Sequence, residues 1–382
     1  SLFDITVSDA ESGVTTSDAS ISSSRSSHPS RIIEHIVSPH CKFLHDRMLE
    51  AAYHSLQGDE RQKLHLQIGR LLRAEMLKPS HDLAQEISST MLFSVVEQLN
   101  RAVALITEKD ERIQLASMNL QAAERAKYAG VWDVAARYTT KGMALLPDDA
   151  WQTHYLLSYA LHFVRIECEY LNTHIDLGNQ LAETVLQHAK SAFEKANICR
   201  LQLTYNLSKQ LPWAIDRGLE GLRYCGSNIP VIEQIDDKWA DKEEQTLAEI
   251  FKKVDLPKVL LTLKEPESEL LQLECLLLVR LSGYSQVAGL TALLRYTNYR
   301  AMTMLLTCGT GRQTVTILGI YSILLAKQKY YKEAGFFSQT AVNSSSSTGC
   351  PKVCMGTTAR YICVVFLSSH KPSELIVALS SR

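Results

Sequence analysis

A short glycine-containing segment is the first candidate for chemistry on phosphates. Residues 309–314 read Gly-Thr-Gly-Arg-Gln-Thr. A phosphate-binding loop needs the spacing GxxxxGK[ST] after a β-strand, and this segment has neither that spacing nor the lysine. We therefore predict a turn between two helices. The nucleophile motif GxSxG and the zinc motif HExxH are also absent from the sequence, so no catalytic residue is assigned.

Cysteine and histidine provide weak candidates for a metal site. The nine cysteines include one close pair, Cys350 and Cys354, whose spacing is not the CxxC of a zinc site. Three histidines, His28, His35 and His40, are loosely spaced and lie in the linker that we predict below for residues 1–40. We predict no metal ligands, and expect most of the cysteines to be buried, reduced thiols.

His45 is the single candidate for a binding residue. It stands beside Asp46 at the start of a predicted helix, after the apolar residues Phe43 and Leu44. A histidine in this position can hydrogen-bond a phosphate oxygen presented by a neighbouring domain. The alternative is a helix-start histidine that bonds only to local backbone. The residues alone leave both interpretations open.

The composition argues against two other classes of function. The 40 basic and 41 acidic residues of the 382-residue chain nearly cancel, so the net-basic footprint of a nucleic-acid-binding protein is absent. No signal peptide opens the sequence, and the apolar run at residues 270–281 is too short and too charged to span a membrane. We expect a cytoplasmic protein with no nucleic-acid partner.

The elements that must position these residues are helical. Residues 17–30 are mostly serine, and we predict a disordered linker over residues 1–40. From Cys41 the apolar residues recur at helical spacing, which predicts an all-α fold with at most a short β-hairpin at residues 41–44. We divide this part into a small unit at 41–80 and a larger one at 81–382. Because the chain begins without Met and ends in an apolar pattern, we expect both ends to be cuts.

The spacing of small residues indicates the architecture of the larger unit. Tetratricopeptide (TPR) repeats are helical pairs of about 34 residues with small residues where the helices cross. One segment follows this template, through Ala123, Gly130, Trp132, Ala135, Gly142 and Pro147. Weaker echoes occur near Gly178, Gly221 and Ala341. We predict a degenerate, TPR-like superhelix of helical pairs with a concave surface for protein partners.

Two blocks carry a resemblance to a known family. Residues 43–53 read Phe-Leu-His-Asp-Arg-Met-Leu-Glu-Ala-Ala-Tyr, and residues 64–72 read Leu-His-Leu-Gln-Ile-Gly-Arg-Leu-Leu. They resemble the region after the STAND-type AAA+ ATPase domain of large multidomain signalling kinases, and depart from its pattern at Met48, Leu49 and Glu50. Similar blocks follow in order to about residue 347, at 95–102, 115–127, 149–151 and 167–171.

The resemblance implies a function and its partners. Residues 41–80 would be a winged-helix remnant, and the chain would be a non-catalytic regulatory segment of a hybrid histidine kinase that acts in a phosphorelay. ATP or ADP would bind in the neighbouring ATPase domain, with His45 as a sensor of the nucleotide phosphate, and no cofactor would bind within the segment. Partners would be the adjacent ATPase, GAF and kinase domains.

Two other functions remain open from the sequence. The first is a freestanding TPR-like adaptor that binds partner peptides. The second is an all-α enzyme with a pocket inside the superhelix, for which the sequence provides no convergent set of titratable residues.

Overall fold

The computed structural model describes residues 46–77, 84–206, 211–256 and 266–347. In these ranges the chain forms fifteen α-helices, three short 3-10 helices and no β-strand. The predicted all-α fold is therefore confirmed. The Ser-rich stretch, the hairpin expected at residues 41–44, His45, and the Cys350–Cys354 pair lie outside the described residues.

The chain divides into two compact units, Ser1–Ala122 and Ala123–Arg382. The border lies inside a helix. The boundaries predicted at residues 40 and 80 stay a prediction, as does the winged-helix interpretation of residues 41–80. The helices that begin in the first unit are α1 (Asp46–Ser55), α2 (Gly58–Met76), α3 (Ala84–Arg101) and α4 (Lys109–Tyr128).

Close packing of α2 on α3 organises the first unit. Gly69 lies so near Leu99 that a Cβ atom built on the glycine would stand 2.6 Å from the leucine Cδ2. One turn earlier, the buried His65 bonds through Nδ1 to Gln98 Oε1 at 2.6 Å. Since that oxygen can only accept, Nδ1 donates, and Nε2 is left to accept from the Tyr53 hydroxyl at 3.0 Å. The close approach of Leu99 therefore requires glycine, which has no side chain, at residue 69.

The second unit contains eleven described helices. Most pack on the helix that follows in the sequence, so the unit is built from consecutive helical pairs. An exception is the helix Asp237–Lys253, which packs on the helix Thr291–Thr307. The helices are α5 (Trp132–Ala144), α6 (Ala150–Thr153), α7 (Tyr155–Leu171), α8 (Ile175–His188), α9 (Ala192–Tyr205), α10 (Leu211–Tyr224), α11 (Asp237–Lys253), α12 (Glu269–Val287), α13 (Thr291–Thr307), α14 (Thr314–Lys327) and α15 (Tyr331–Ser347).

Small residues lie where the helices of this unit cross. Ala135 and Ala341 are fully buried, at 0% exposure. A Cβ on Gly178 would meet the ring of Tyr170, and one on Gly221 would meet Leu277 and Cys199. These are the small residues that the repeat template singled out. Their burial agrees with packed helical pairs, whereas the TPR register itself stays a prediction.

A recurring turn ends several helices. After α4, Gly130 adopts a φ of 80°; its N–H bonds to Lys127 O, and the N–H of Val131 bonds to Ala126 O. This pair of bonds is the Schellman motif, which requires a left-handed residue and therefore favours glycine. The same pattern follows α10, α12 and α14. After α7 the left-handed position is occupied by Thr173, with a φ of 65°.

Candidate functional site

The glycine-containing segment at residues 309–314 is a turn, as predicted. It lies between α13 and α14 and includes a 3-10 helix at Gly311–Gln313. Gly309 and Gly311 both have positive φ angles, and the hydroxyls of Thr310 and Thr314 hydrogen-bond each other at 2.8 Å. The glycines therefore satisfy the backbone geometry of a tight connection.

A groove with several charged and polar side chains along it lies beside α5 and α7 in the second unit. It has a volume of about 490 Å³. Helix α5 provides one wall, α7 the other, and the turn into α8 closes one end. Its polar lining consists of Asp133, Arg137, Thr140, Lys141, Arg165, Glu169, Asn172 and His174. We refer to it as the Glu169 groove.

Glu169 is the buried centre of this groove, at 2% exposure. Its Oε1 accepts from Arg165 Nη2 at 2.6 Å, one turn earlier on α7. Its Oε2 accepts from His174 Nδ1, also at 2.6 Å. Arg165 donates further to the carbonyl of Ala136 and the hydroxyl of Thr140 on α5. One buried carboxylate thus links α7 to α5, through Arg165, and to the start of α8.

Local backbone geometry places His174 beside Glu169. The Schellman turn at Thr173 directs the N–H of His174 to the carbonyl of Glu169 at 2.9 Å. The imidazole then folds back onto the carboxylate of the same residue. The i, i+4 spacing of Arg165 and Glu169 is visible in the sequence. The contact with His174 depends on a left-handed threonine, which sequence reasoning does not foresee.

Residues that carry the family resemblance pair with one another across helices. In the first unit, the side-chain amides of Asn100 and Asn119 exchange two hydrogen bonds, at 2.8 and 3.0 Å. In the second, Lys127 Nζ of α4 lies 2.5 Å from Glu167 Oε2 of α7. Arg70 of α2, which also lies in one of these blocks, binds Glu111, which does not, through two hydrogen bonds. These polar residues hold neighbouring helices together in a fixed register.

The charges of the groove are divided between its centre and its rim. Its central acid is fully engaged by Arg165 and His174, and its rim carries Arg137 and Lys141 on the same face of α5. Within the described ranges no three His, Cys, Asp or Glu residues are grouped to hold a metal ion. Five cysteines of these ranges are free thiols, of which Cys168, Cys199 and Cys275 are buried, as predicted from the sequence.

No helix in the described part of the chain is both long enough and apolar enough to cross a bilayer. No protein-family model matches the chain. It is 23% identical over 220 residues to the hybrid signal transduction histidine kinase G of Dictyostelium discoideum. The match covers 53% of this chain but 6% of that protein, so the chain spans a small part of its relative's length. The similarity supports the link to signalling kinases that the sequence predicts.

Proposed function

We propose that this chain is a regulatory, protein-interaction segment of a multidomain signal-transduction histidine kinase. The observation that carries the proposal is the similarity to a hybrid histidine kinase over 220 residues. In this proposal the segment is non-catalytic, and it transmits the nucleotide state of an adjoining ATPase domain to the kinase output of a phosphorelay.

The packing of consecutive helical pairs supports this role. Each pair contacts mainly its neighbours, so a small rotation at one interface shifts the pairs that follow. Charged links such as Arg165 to Thr140 and Lys127 to Glu167 connect α7 to α5 and to α4. They would make neighbouring helices move together. The adjacent ATPase, GAF and kinase domains are the proposed partners.

The test uses the complete gene product and measures histidine autophosphorylation with ATP and with ADP bound upstream. We expect Arg165→Ala to reduce the response to nucleotide while the kinase itself stays active, because the link from α7 to α5 is lost. Arg137→Ala is the matched control and should respond normally. Arg137 is exposed, and its Nη2 lies 3.8 Å from Asp133 Oδ2. An unchanged response in Arg165→Ala would contradict the proposal. A reading frame without kinase and ATPase domains would favour the adaptor function.

His45 is the residue that we propose senses the nucleotide. Its contact with an ADP phosphate would be a charge-assisted hydrogen bond worth about 1.5–3 kcal/mol. His45→Ala in the complete protein should therefore release a fluorescent ADP analogue about ten-fold faster or more. Equal release rates would show that His45 has only a local structural role, and would leave the coupling proposal to the phosphorylation test.

A further inference from the structure

Two arginines on neighbouring helices of the second unit form no ion pair within the described residues. Arg200 lies on α9 and Arg280 on α12, and both are half-buried. Helix α10 packs against both of these helices. The place of each arginine along its helix can be read from the contacts around it.

Contacts at the glycines of α10 set α9 and α12 parallel and level with each other. Near Gly221 the helices present Cys199 and Leu277, and near Gly218 they present Leu203 and Leu281. Residues one turn further along α9 therefore lie level with residues one turn further along α12.

Their direct contact continues the same register. The Tyr284 hydroxyl donates to the carbonyl of Thr204 at 3.5 Å. Arg280 stands one turn before Tyr284, and Arg200 one turn before Thr204. Because residues four apart share one helix face, the two guanidinium groups lie side by side.

The hydrogen bonds of the two arginines leave donors for a ligand. Arg200 donates from Nε to Asn197 Oδ1 at 2.8 Å. Arg280 Nε is buried and has no hydrogen-bond partner within the described residues. A buried donor of this kind is costly unless a ligand or water accepts from it.

The surrounding charges add to the positive excess. The acid whose charge acts on Arg200 is Glu167, which is already paired with Lys127. Burial lowers the pKa of the Arg200 guanidinium; Glu167 acts in the opposite direction, and Arg280 adds to the lowering. The charges of Glu167, Arg200, Arg280 and Lys127 all act on Tyr205. The Tyr205 ring stacks on that of Tyr170, with the ring centroids 5.1 Å apart. Three cations and one anion thus act on Tyr205.

We propose that Arg200 and Arg280, with Lys127 at the edge, form a binding site for a dianionic phosphate group. Guanidinium groups present planar pairs of donors that match phosphate oxygens. A phosphate monoester carries about −1.5 to −2 at neutral pH, which offsets two adjacent arginines, whereas a single carboxylate offsets one. The phosphate could be carried by a phosphorylated protein side chain or by a nucleotide. The site is independent of the proposed coupling role, since it follows from the helix register alone.

The test measures binding to the whole chain by calorimetry and by the shift in melting temperature. Inorganic phosphate, a phosphoserine peptide with its unphosphorylated counterpart, and ATP are compared at constant ionic strength. We expect phosphate to stabilise the wild type, and Arg200→Gln and Arg280→Gln each to weaken binding about ten-fold or more. Arg101→Gln, an exposed arginine of the first unit, should bind as the wild type does.

Two further readouts separate lost binding from lost folding. Removing one of two repelling cations should leave the phosphate-free melting temperature of Arg280→Gln no lower than that of the wild type. Arg280→Lys keeps the charge but not the planar fork, so it should bind with intermediate affinity. Tighter binding of the phosphopeptide or of ATP identifies the source of the phosphate, and either ranking supports the site. Equal phosphate binding in Arg200→Gln, Arg280→Gln and wild type would overturn it, as would a wild type that binds none of the three probes.

Discussion

At the scale of single residues, Glu169 shows how a charge is kept inside this helical protein. The carboxylate is buried, and each of its oxygens accepts a bond of 2.6 Å, one from Arg165 and one from His174. A buried ion pair contributes little net stability when intact, but removing one partner leaves an uncompensated charge. The contribution of this cluster to the free energy of unfolding should therefore become measurable only when one of its charged partners is removed.

The first prediction concerns the stability of that cluster. Arg165→Ala should lower the free energy of unfolding by about 3 kcal/mol, the lower end for a broken buried pair, because His174 remains beside the carboxylate. Arg137→Ala, at an exposed position of the same groove, should change it by no more than about 0.5 kcal/mol. Urea unfolding followed by circular dichroism measures both values. Equal losses in the two variants would show that burial of Glu169 does not determine the effect.

The second prediction concerns thiol reactivity. Burial raises the pKa of Cys168 to about 11 and that of Cys275 to about 12. Because the thiolate is the reactive form, both should resist iodoacetamide in the native protein and react once it is denatured. Cys308 is only half-buried and should be modified before either of them. Peptide mass spectrometry after timed alkylation reports the order, and equal native labelling of all three would contradict the burial.

At the scale of helices, turns and caps determine where each element ends. Helix α2 begins at Gly58. Its N-cap is Gln57, which forms a reciprocal capping box with Glu60. A second capping box joins Ser191 and Glu194 at the start of α9, and it matches the S-x-x-E signature that sequence reasoning overlooked. Helix existence was easier to predict than the residue that caps it.

The third prediction tests a helix crossing. Ala135 is fully buried on α5, so Ala135→Leu should overpack the contact and lower the free energy of unfolding by about 1–3 kcal/mol. Gly283→Ala is the matched control on α12, where a Cβ meets nothing within 4 Å. It should stabilise the protein by about 0.5–1 kcal/mol through lost chain entropy. Thermal melting compares them, and an unchanged midpoint for Ala135→Leu would mean that the predicted repeat register is misplaced.

At the scale of the whole chain, the second unit has one large core. A single cluster of buried apolar side chains extends from Ala196 on α9 to Ala341 on α15. A smaller cluster joins α7, α8 and α9 through Ile166, Val185 and Ile198. Continuous cores of this kind are typical of stacked helical pairs, in which each pair buries the face that its neighbour leaves open.

The fourth prediction follows from the chain as a whole. The purified 382-residue chain should release no phosphate from ATP, because it contains no GxxxxGK[ST] motif and residues 309–314 form a turn between two helices. A coupled assay for phosphate release provides the measurement. Turnover that disappears with a point substitution within this chain would overturn the non-catalytic interpretation, whereas turnover unaffected by such changes would indicate a contaminant.

The sequence alone determined the type and the approximate limits of the helices. Apolar residues recur at helical spacing over residues 108–128 and 132–146, and the structure has helices at Lys109–Tyr128 and Trp132–Ala144. Local information suffices here, since apolar residues repeat at the period of the helix and glycine marks the left-handed turn at residue 130. The class of related protein could also be predicted, because the blocks that carry the resemblance are contiguous.

Only the tertiary structure decided which charges meet. Lys127 and Glu167 are 40 residues apart, and two described helices, α10 and α11, come between those that carry Arg200 and Arg280. No local pattern predicts such pairs, because they depend on how each helix is rotated and shifted against the next. That register is set by small residues at the crossings, such as Gly218 and Gly221 of α10, where side chains of α9 and α12 meet the same glycine. The burial of Glu169 has the same origin: its partner on α7 is visible in the sequence, whereas the walls that exclude water from it come from other helices.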